Sequence, residues 1–226
     1  LGISDLDVGN DLMGSIRIPA HFCGVWGLVP SEDSMPLDSL AGVNAPGATI
    51  RRMVRAGLQA RSAQDLMWAL PVAANPGRLT AATPLPERLR IAWSEDCGGL
   101  ALCRSSHACF QGFIKRLRDQ GHDLYELKPE DYDFGAAREC FVKLLYGAIA
   151  AGLSPAARFA SRYLMGQKHM DAGLMNYLRA ESVRETLIRQ MERLFERADC
   201  LVVPVSVTPA FPHLKPDRML GVQPVY

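Results

Sequence analysis

The clearest periodicity in the chain lies at residues 105–120. Phe110, Phe113, Ile114 and Leu117 recur at i, i+3, i+4 and i+7, while Lys115, Arg116, Arg118 and Asp119 fall on the other side. That spacing predicts an amphipathic helix. Gly121 stands where the end of such a helix needs a residue free to turn left-handed. A longer stripe, formed by Leu174, Tyr177, Leu178, Leu187, Ile188, Met191, Leu194 and Phe195, predicts a helix over about 172–197. Arg184, Glu185, Arg189, Glu192, Arg193 and Glu196 form its wet face. Ser62-Ala63-Gln64-Asp65 reads as another helix start, with Ser62 capping and Asp65 returning the bond. Leu66, Leu70 and Val72 supply its apolar contacts, and Pro76-Gly77 stops it. Residues 135–165 are helical in composition and are broken near Gly152 to Pro155.

Between these lie short apolar runs. Leu89–Ser94, Asp123–Leu127 and Cys200–Val207 read as strands, the last ended by Pro209. Residues 1–30 read as loop and turn, leading into a short buried strand within "HFCGVWGLVP", where Gly24 and Gly27 mark a turn or a close approach. Residues 31–60, with Pro36, Gly42, Pro46, Gly47 and Gly57, read as surface loop, and Pro84 and Pro86 as a linker. Helix and strand alternate, which predicts an α/β fold.

Composition narrows the function. The 226 residues suffice for one large domain or two small ones. Hydrophobic residues make up 48% and charged residues 22%, as in ordinary folded proteins. A net charge of +1 argues against nucleic-acid binding, which needs a basic excess. No apolar run of about 18 residues appears, so no membrane span is expected, and no signal peptide is visible. The cysteines at 23, 97, 103, 109, 140 and 200 form no C-x-x-C pair and read as reduced thiols of a cytoplasmic protein. In "CRSSHAC", Cys103 and His107 share a helix face at i, i+4, but two aligned ligands without a third do not make a metal site.

The chemistry concentrates in "GNDLMGSIRIP", residues 9–19. A serine hydroxyl attacks an acyl carbon only when a base takes its proton and N–H groups receive the developing oxyanion. A tight turn before Ser15, with Gly14 free to take unusual dihedrals, presents consecutive N–H groups in that way. Asp11 and Arg17 flank the turn with opposite charges and can pair across it. The same residues fit a structural glycine turn carrying a surface serine, and the local pattern does not separate the two.

A wider window does. "GNDLMGSIRIPAHFCGVWGLVPS" resembles the second half of the amidase signature, G-[ST]-D-x-G-G-S-I-R-x-P-A-x-F-C-G-V-x-G-x-K-P-[ST]. The matches are Gly9, Asp11, Gly14, Ser15, Ile16, Arg17, Pro19, Ala20, Phe22, Cys23, Gly24, Val25, Gly27, Pro30 and Ser31. "ARSAQDLMWAL", "LRIAWSED" and "ADCLVVPVSVTPAFPH" are similar to later family segments, so the resemblance spans nearly the whole chain. It implies a mixed, twisted sheet covered by helices, with residues 1–226 as one partial domain truncated at both ends.

The resemblance further implies that Ser15 is an acyl-enzyme nucleophile in a Ser–cis-Ser–Lys triad. The backbone N–H groups of Leu12, Met13, Gly14 and Ser15 would form the oxyanion hole, and Asp11 and Arg17 would support the turn. The implied partner is a small-molecule amide, with no cofactor and no metal; a homodimer stays open. The lysine and bridging serine lie upstream of the nucleophile in this family, before Leu1 here, so the isolated chain is expected to be inactive. Ser4 and the lysines at 115, 128, 143, 168 and 215 have no family counterpart as base.

Met13 departs from the signature by replacing its first glycine, Asn10 by replacing Ser or Thr, and Val29 by replacing a lysine. Two other readings remain: a glutamyl-tRNA amidotransferase A-type subunit, and a catalytically dead relative that keeps the fold. Ile18 stands where the tRNA-linked subunits carry a polar residue, which favours a stand-alone amidase. Phe22 and Trp26 are expected to pack under the turn, and Cys23 to be a small buried hydrophobe. Tyr163, Met165 and Tyr177 are candidates for a pocket wall or for core packing.

Overall fold

The computed structural model describes residues 2–37, 51–79, 84–152 and 173–212, with side chains omitted at 149–152. The fold is mixed α/β. It divides into two compact units, Leu1–Pro84 with Val205–Tyr226, and Leu85–Pro204.

The first unit holds β1 (Leu6–Asp11), α1 (Arg17–Cys23), β2 (Trp26–Leu28), β3 (Arg55–Ala60) and α2 (Ala63–Ala73). Its strands form an antiparallel sheet in the order β1-β3-β2. Side chains alternate across a strand, so β3 divides its residues between two faces. Ala56, Leu58 and Ala60 face the core, where Leu58 is fully buried against Met35 and against Leu66 of α2. Gly57 lies on the other face, where Ile16 approaches it.

Ser62 caps α2 as expected, accepting from the Asp65 N–H at 3.1 Å. The return bond runs from the Ser62 hydroxyl to Asp65 Oδ2 at 2.6 Å, so the exchange is between side chains.

The second unit holds β4 (Arg90–Trp93), α3 (Arg104–Asp119), β5 (Asp123–Glu126), α4 (Phe134–Gly152), α5 (Leu174–Arg197) and β6 (Cys200–Val202). Its sheet is parallel, in the order β5-β4-β6. Helices cover both faces, as parallel sheets require. Ala92 packs with Leu194 and Met191 of α5, and Trp93 with Phe110 and Ile114 of α3.

The α3 helix and the alternation match the sequence pattern, and Gly121 takes the positive φ expected beyond its end. Three elements were not legible. β1 and β3 lie in spans read as loop, and α1 (Arg17–Cys23) takes up residues read as loop and turn; the short strand expected within "HFCGVWGLVP" is β2, which is exposed at Trp26 and Gly27 and not buried. β3 is rich in alanine and contains Gly57, so its alternation carries little hydrophobic contrast. α1 tolerates Pro19 because that residue sits in the first turn, where an N–H has no partner inside the helix.

β6 ends at Val202, not at Val207; Pro204 follows and lacks the N–H a ladder needs. The stripe on α5 is also narrower than expected. Ala180, Leu187 and Leu194 are buried along one line. Leu174, Leu178 and Phe195, roughly 80° or more round the helix from it, are exposed.

Tyr177 packs between helices: its ring lies against Gly147 of α4 and its hydroxyl donates to Glu181 at 3.0 Å. Tyr163 and Met165 lie outside the described residues. Among the described residues, no helix is long and apolar enough to cross a membrane.

Candidate active site

The signature folds as the connection between β1 and α1, and Asp11 at the end of β1 is its hub. Its side chain is 2% exposed and accepts five hydrogen bonds. The Gly14 N–H donates to Oδ1 at 2.7 Å, and the Ile16 and Arg17 N–H groups to Oδ2 at 3.1 and 3.3 Å. The Arg17 guanidinium adds Nε to Oδ2 at 2.9 Å and Nη2 to Oδ1 at 2.7 Å. Burial alone would raise the pKa of this carboxyl. The Arg17 hydrogen bonds and charge, with the Gly14 and Ile16 N–H groups, outweigh it and lower the pKa to about 2. The turn is therefore organised around a permanent anion, as the opposite flanking charges suggested.

Gly14 has a φ of +103°, which favours glycine, and a Cβ there would lie 2.4 Å from Ile18 Cδ1, so that side chain would have to move. The Gly14 carbonyl accepts from the Ile18 N–H at 2.8 Å and leads directly into α1. Gly24, in the left-handed region, ends that helix with its N–H on the Ala20 carbonyl.

Ile16, next to the serine, is 2% exposed and fills a well between strands. A Cβ on Gly57 would come within 2.7 Å of its Cδ1, and one on Gly27 within 3.3 Å of its Cγ2. Its carbonyl accepts from Gln59 Nε2 at 2.9 Å. Ser15 thus stands between two anchored neighbours, Gly14 and Ile16, while its own side chain faces outward.

Ser15 is exposed, and its hydroxyl has no partner among the described residues. The N–H groups of Leu12, Met13 and Ser15 are likewise unengaged among the described residues. Gly14 differs from the expectation for it: its N–H is taken by Asp11 Oδ1. Three of the four expected donors remain available. Met13 is 51% exposed. Asp33 is the described non-glycine residue with positive φ, so Met13 occupies ordinary backbone space. Its replacement of glycine therefore strains nothing.

Other expectations fall differently. Trp26 is 57% exposed, because its β2 pairs only with β3 among the described residues and leaves that end of the sheet open. Phe22 is half-buried, edge-on to Phe211, with ring centroids 5.3 Å apart. Cys23, in the last turn of α1, is exposed and not a buried hydrophobe. His21 Nε2 lies 3.3 Å from the Thr208 carbonyl oxygen. The Ser4 hydroxyl donates to Asp7 Oδ2 at 2.9 Å. Cys103 caps α3, and His107 pairs with Glu95 at 2.8 Å. The described part of the unit that carries Ser15 contains no lysine.

Gln59 and Gly57, which hold Ile16 in place, were not singled out as site residues from the sequence. The one available signal was a polar amide beside a glycine in "RAGLQA", legible only once that segment is known to be a strand.

The model of the amidase family matches residues 1–226, and the chain belongs to that family. The A subunit of glutamyl-tRNA(Gln) amidotransferase from Synechococcus sp. (strain JA-3-3Ab) is 27% identical over 90% of the chain and 47% of that protein. A bacterial aryl acylamidase of the amidase signature family superposes with a TM-score of 0.69 at 18% identity, over 95% of this chain and 48% of that one. Kluyveromyces lactis allophanate hydrolase superposes with a TM-score of 0.67 at 20% identity, over 99% and 37%. These structural likenesses establish the fold. The chain spans about half the length of the curated relatives it matches.

Proposed function

We propose that this chain carries the nucleophile turn of an amidase that hydrolyses a carboxamide to an acid and ammonia or an amine. The observation that carries the reading is the free hydroxyl of Ser15 beside unengaged N–H groups, on a turn whose other polar groups are tied to Asp11. Ser15 Oγ attacks the amide carbon and passes its proton to a base, while the carbonyl oxygen becomes an anion. The N–H groups of Leu12, Met13 and Ser15 receive that anion. The C–N bond then breaks, the nitrogen leaves with a proton, and water releases the acid from the acyl-serine.

Asp11 takes no part in the proton transfers, because its carboxyl stays ionised throughout the neutral range. With Arg17 it holds the turn. The base follows from the family resemblance: a lysine acting through a bridging serine, supplied from outside the described part of this unit. A lysine serves as base once burial lowers its pKa enough to make it neutral. We read residues 1–226 as part of a single domain of that family.

The amidotransferase relatives support a second reading, in which the nitrogen released serves a tRNA-linked partner. Ammonia or amine release from a panel of simple carboxamides by the protein carrying this chain separates the two. Turnover without tRNA or ATP that disappears in Ser15→Ala supports the amidase. Turnover that requires Glu-tRNA and ATP supports the amidotransferase subunit. A folded protein with neither activity opposes both.

A further inference from the structure

We infer that Gln59 is a positioning residue for Ser15, a role that rests on the reading of Ser15 as nucleophile. Gln59 lies on β3, the middle strand of its sheet, on the same face as Gly57. The opposite face of that strand carries Ala56, Leu58 and Ala60, all buried in the core. On the side facing Ile16, an apolar residue at position 59 would simply extend the packing. An amide there makes sense through what it meets: Gln59 Nε2 donates to the Ile16 carbonyl oxygen at 2.9 Å.

That bond completes a three-point hold on the residue after the nucleophile. The Ile16 N–H is held by Asp11 Oδ2, its side chain by the well at Gly57 and Gly27, and its carbonyl by Gln59 and by the Ala20 N–H at 3.1 Å. Asp11 and Arg17 fix the turn from the β1 side. Gln59 fixes it from β3, the strand paired on both sides. Without Gln59, the Ile16 carbonyl keeps only the Ala20 N–H within α1, and its tie to the sheet is lost, so this peptide can shift with the first turn of the helix. The shift passes directly to the Ser15 hydroxyl and N–H, whose alignment sets the rate of acyl transfer.

The test uses Gln59→Leu, which removes the polar amide at similar size, and Gln59→Glu, which keeps size and polarity but loses the donor at neutral pH. Two quantities are measured in the protein carrying this chain: the second-order rate of Ser15 phosphonylation by a fluorophosphonate, and backbone hydrogen exchange at Ile18 and Ala20. Both variants are expected to slow phosphonylation by about 10- to 100-fold. Exchange at the first turn of α1 should quicken, and the thermal midpoint should fall by only a few degrees. Where the protein turns over an amide, kcat should fall and KM should stay within about threefold.

Wild-type labelling at Ser15 with equal rates in both variants overturns the role of Gln59 and leaves the nucleophile standing. Absence of wild-type labelling overturns the nucleophile and the role of Gln59 with it. A variant that fails to fold is replaced by Gln59→Asn, whose side chain is one methylene too short for the bond and should show the same slowed labelling.

Discussion

Arg17 grips Asp11 with two parallel hydrogen bonds, Nε to Oδ2 at 2.9 Å and Nη2 to Oδ1 at 2.7 Å. The geometry is the bidentate fork that only arginine offers a carboxylate. The pair spans the turn that carries Ser15, so the covalent neighbours of the serine are held by charge as well as by packing. Replacing Asp11 with Asn keeps the size but removes the anion. Gly14 donates to Oδ1 and Ile16 to Oδ2, so one of these N–H groups would face the amide NH2 and lose its acceptor, and Arg17 would lose its ion pair. Thermal or urea unfolding should show a loss of about 2–3 kcal/mol, discounted because Arg17 is half exposed. Amide turnover should fall by about 100-fold or more.

Acid should reproduce part of that effect. The Asp11 carboxyl titrates at about 2 in the folded chain, against 3.8 for an unperturbed aspartate. A lowered folded pKa gives stability that is fully present above the unfolded value and is lost as pH falls toward the folded one. About 2 kcal/mol should therefore disappear between roughly pH 4 and pH 2. Chemical unfolding across that range should show a smaller pH dependence in Asp11→Asn than in the wild type.

The two residues at the signature's glycine pair should respond oppositely. Gly14→Ala places a Cβ against Ile18 at a φ of +103° and should cost about 2 kcal/mol or more, with loss of turnover. Met13→Gly relieves no strain and should change stability by less than about 1 kcal/mol while turnover persists. If Met13→Gly instead raised stability sharply, the backbone at residue 13 would have to be strained after all. Melting curves of the two variants decide the point.

In the second unit, Cys103 caps α3 with its sulfur. The Ser105 and Ser106 hydroxyls and the Ser106 N–H lower its pKa to about 7. Burial pushes the thiols of Cys140 and Cys200 up. Since the thiolate is the reactive form, iodoacetamide at pH 7 should alkylate Cys103 well before Cys140 or Cys200. Peptide mapping over time gives the order, and equal rates would contradict the capping geometry.

Much of this architecture was legible in the sequence, for identifiable reasons. α3 announced itself because Phe110 and Ile114 recur at helical spacing against a run of charges. The signature residues were legible because their chemistry is local: Asp11, Gly14 and Arg17 reach one another within a single turn. β3 was not, because Ala56, Gly57 and Ala60 offer too little contrast to reveal a strand. Gln59 and Gly57 were missed for the same reason. They meet Ile16 across 43 and 41 positions of sequence, and nothing in their own segment names the partner. The Gly14 N–H was assigned to the oxyanion from the motif alone. In the fold Asp11 takes it, because a buried carboxylate must fill its acceptor sites.

Ser15 is proposed as a nucleophile set beside open N–H donors. The most direct test is mass spectrometry of the protein carrying this chain after exposure to a fluorophosphonate, with Ser15→Ala as control. A single phosphonyl adduct is expected on the peptide containing Ser15, absent from the Ser15→Ala protein. A folded protein that stays unmodified at Ser15 while a known serine hydrolase in the same tube is labelled would contradict that role.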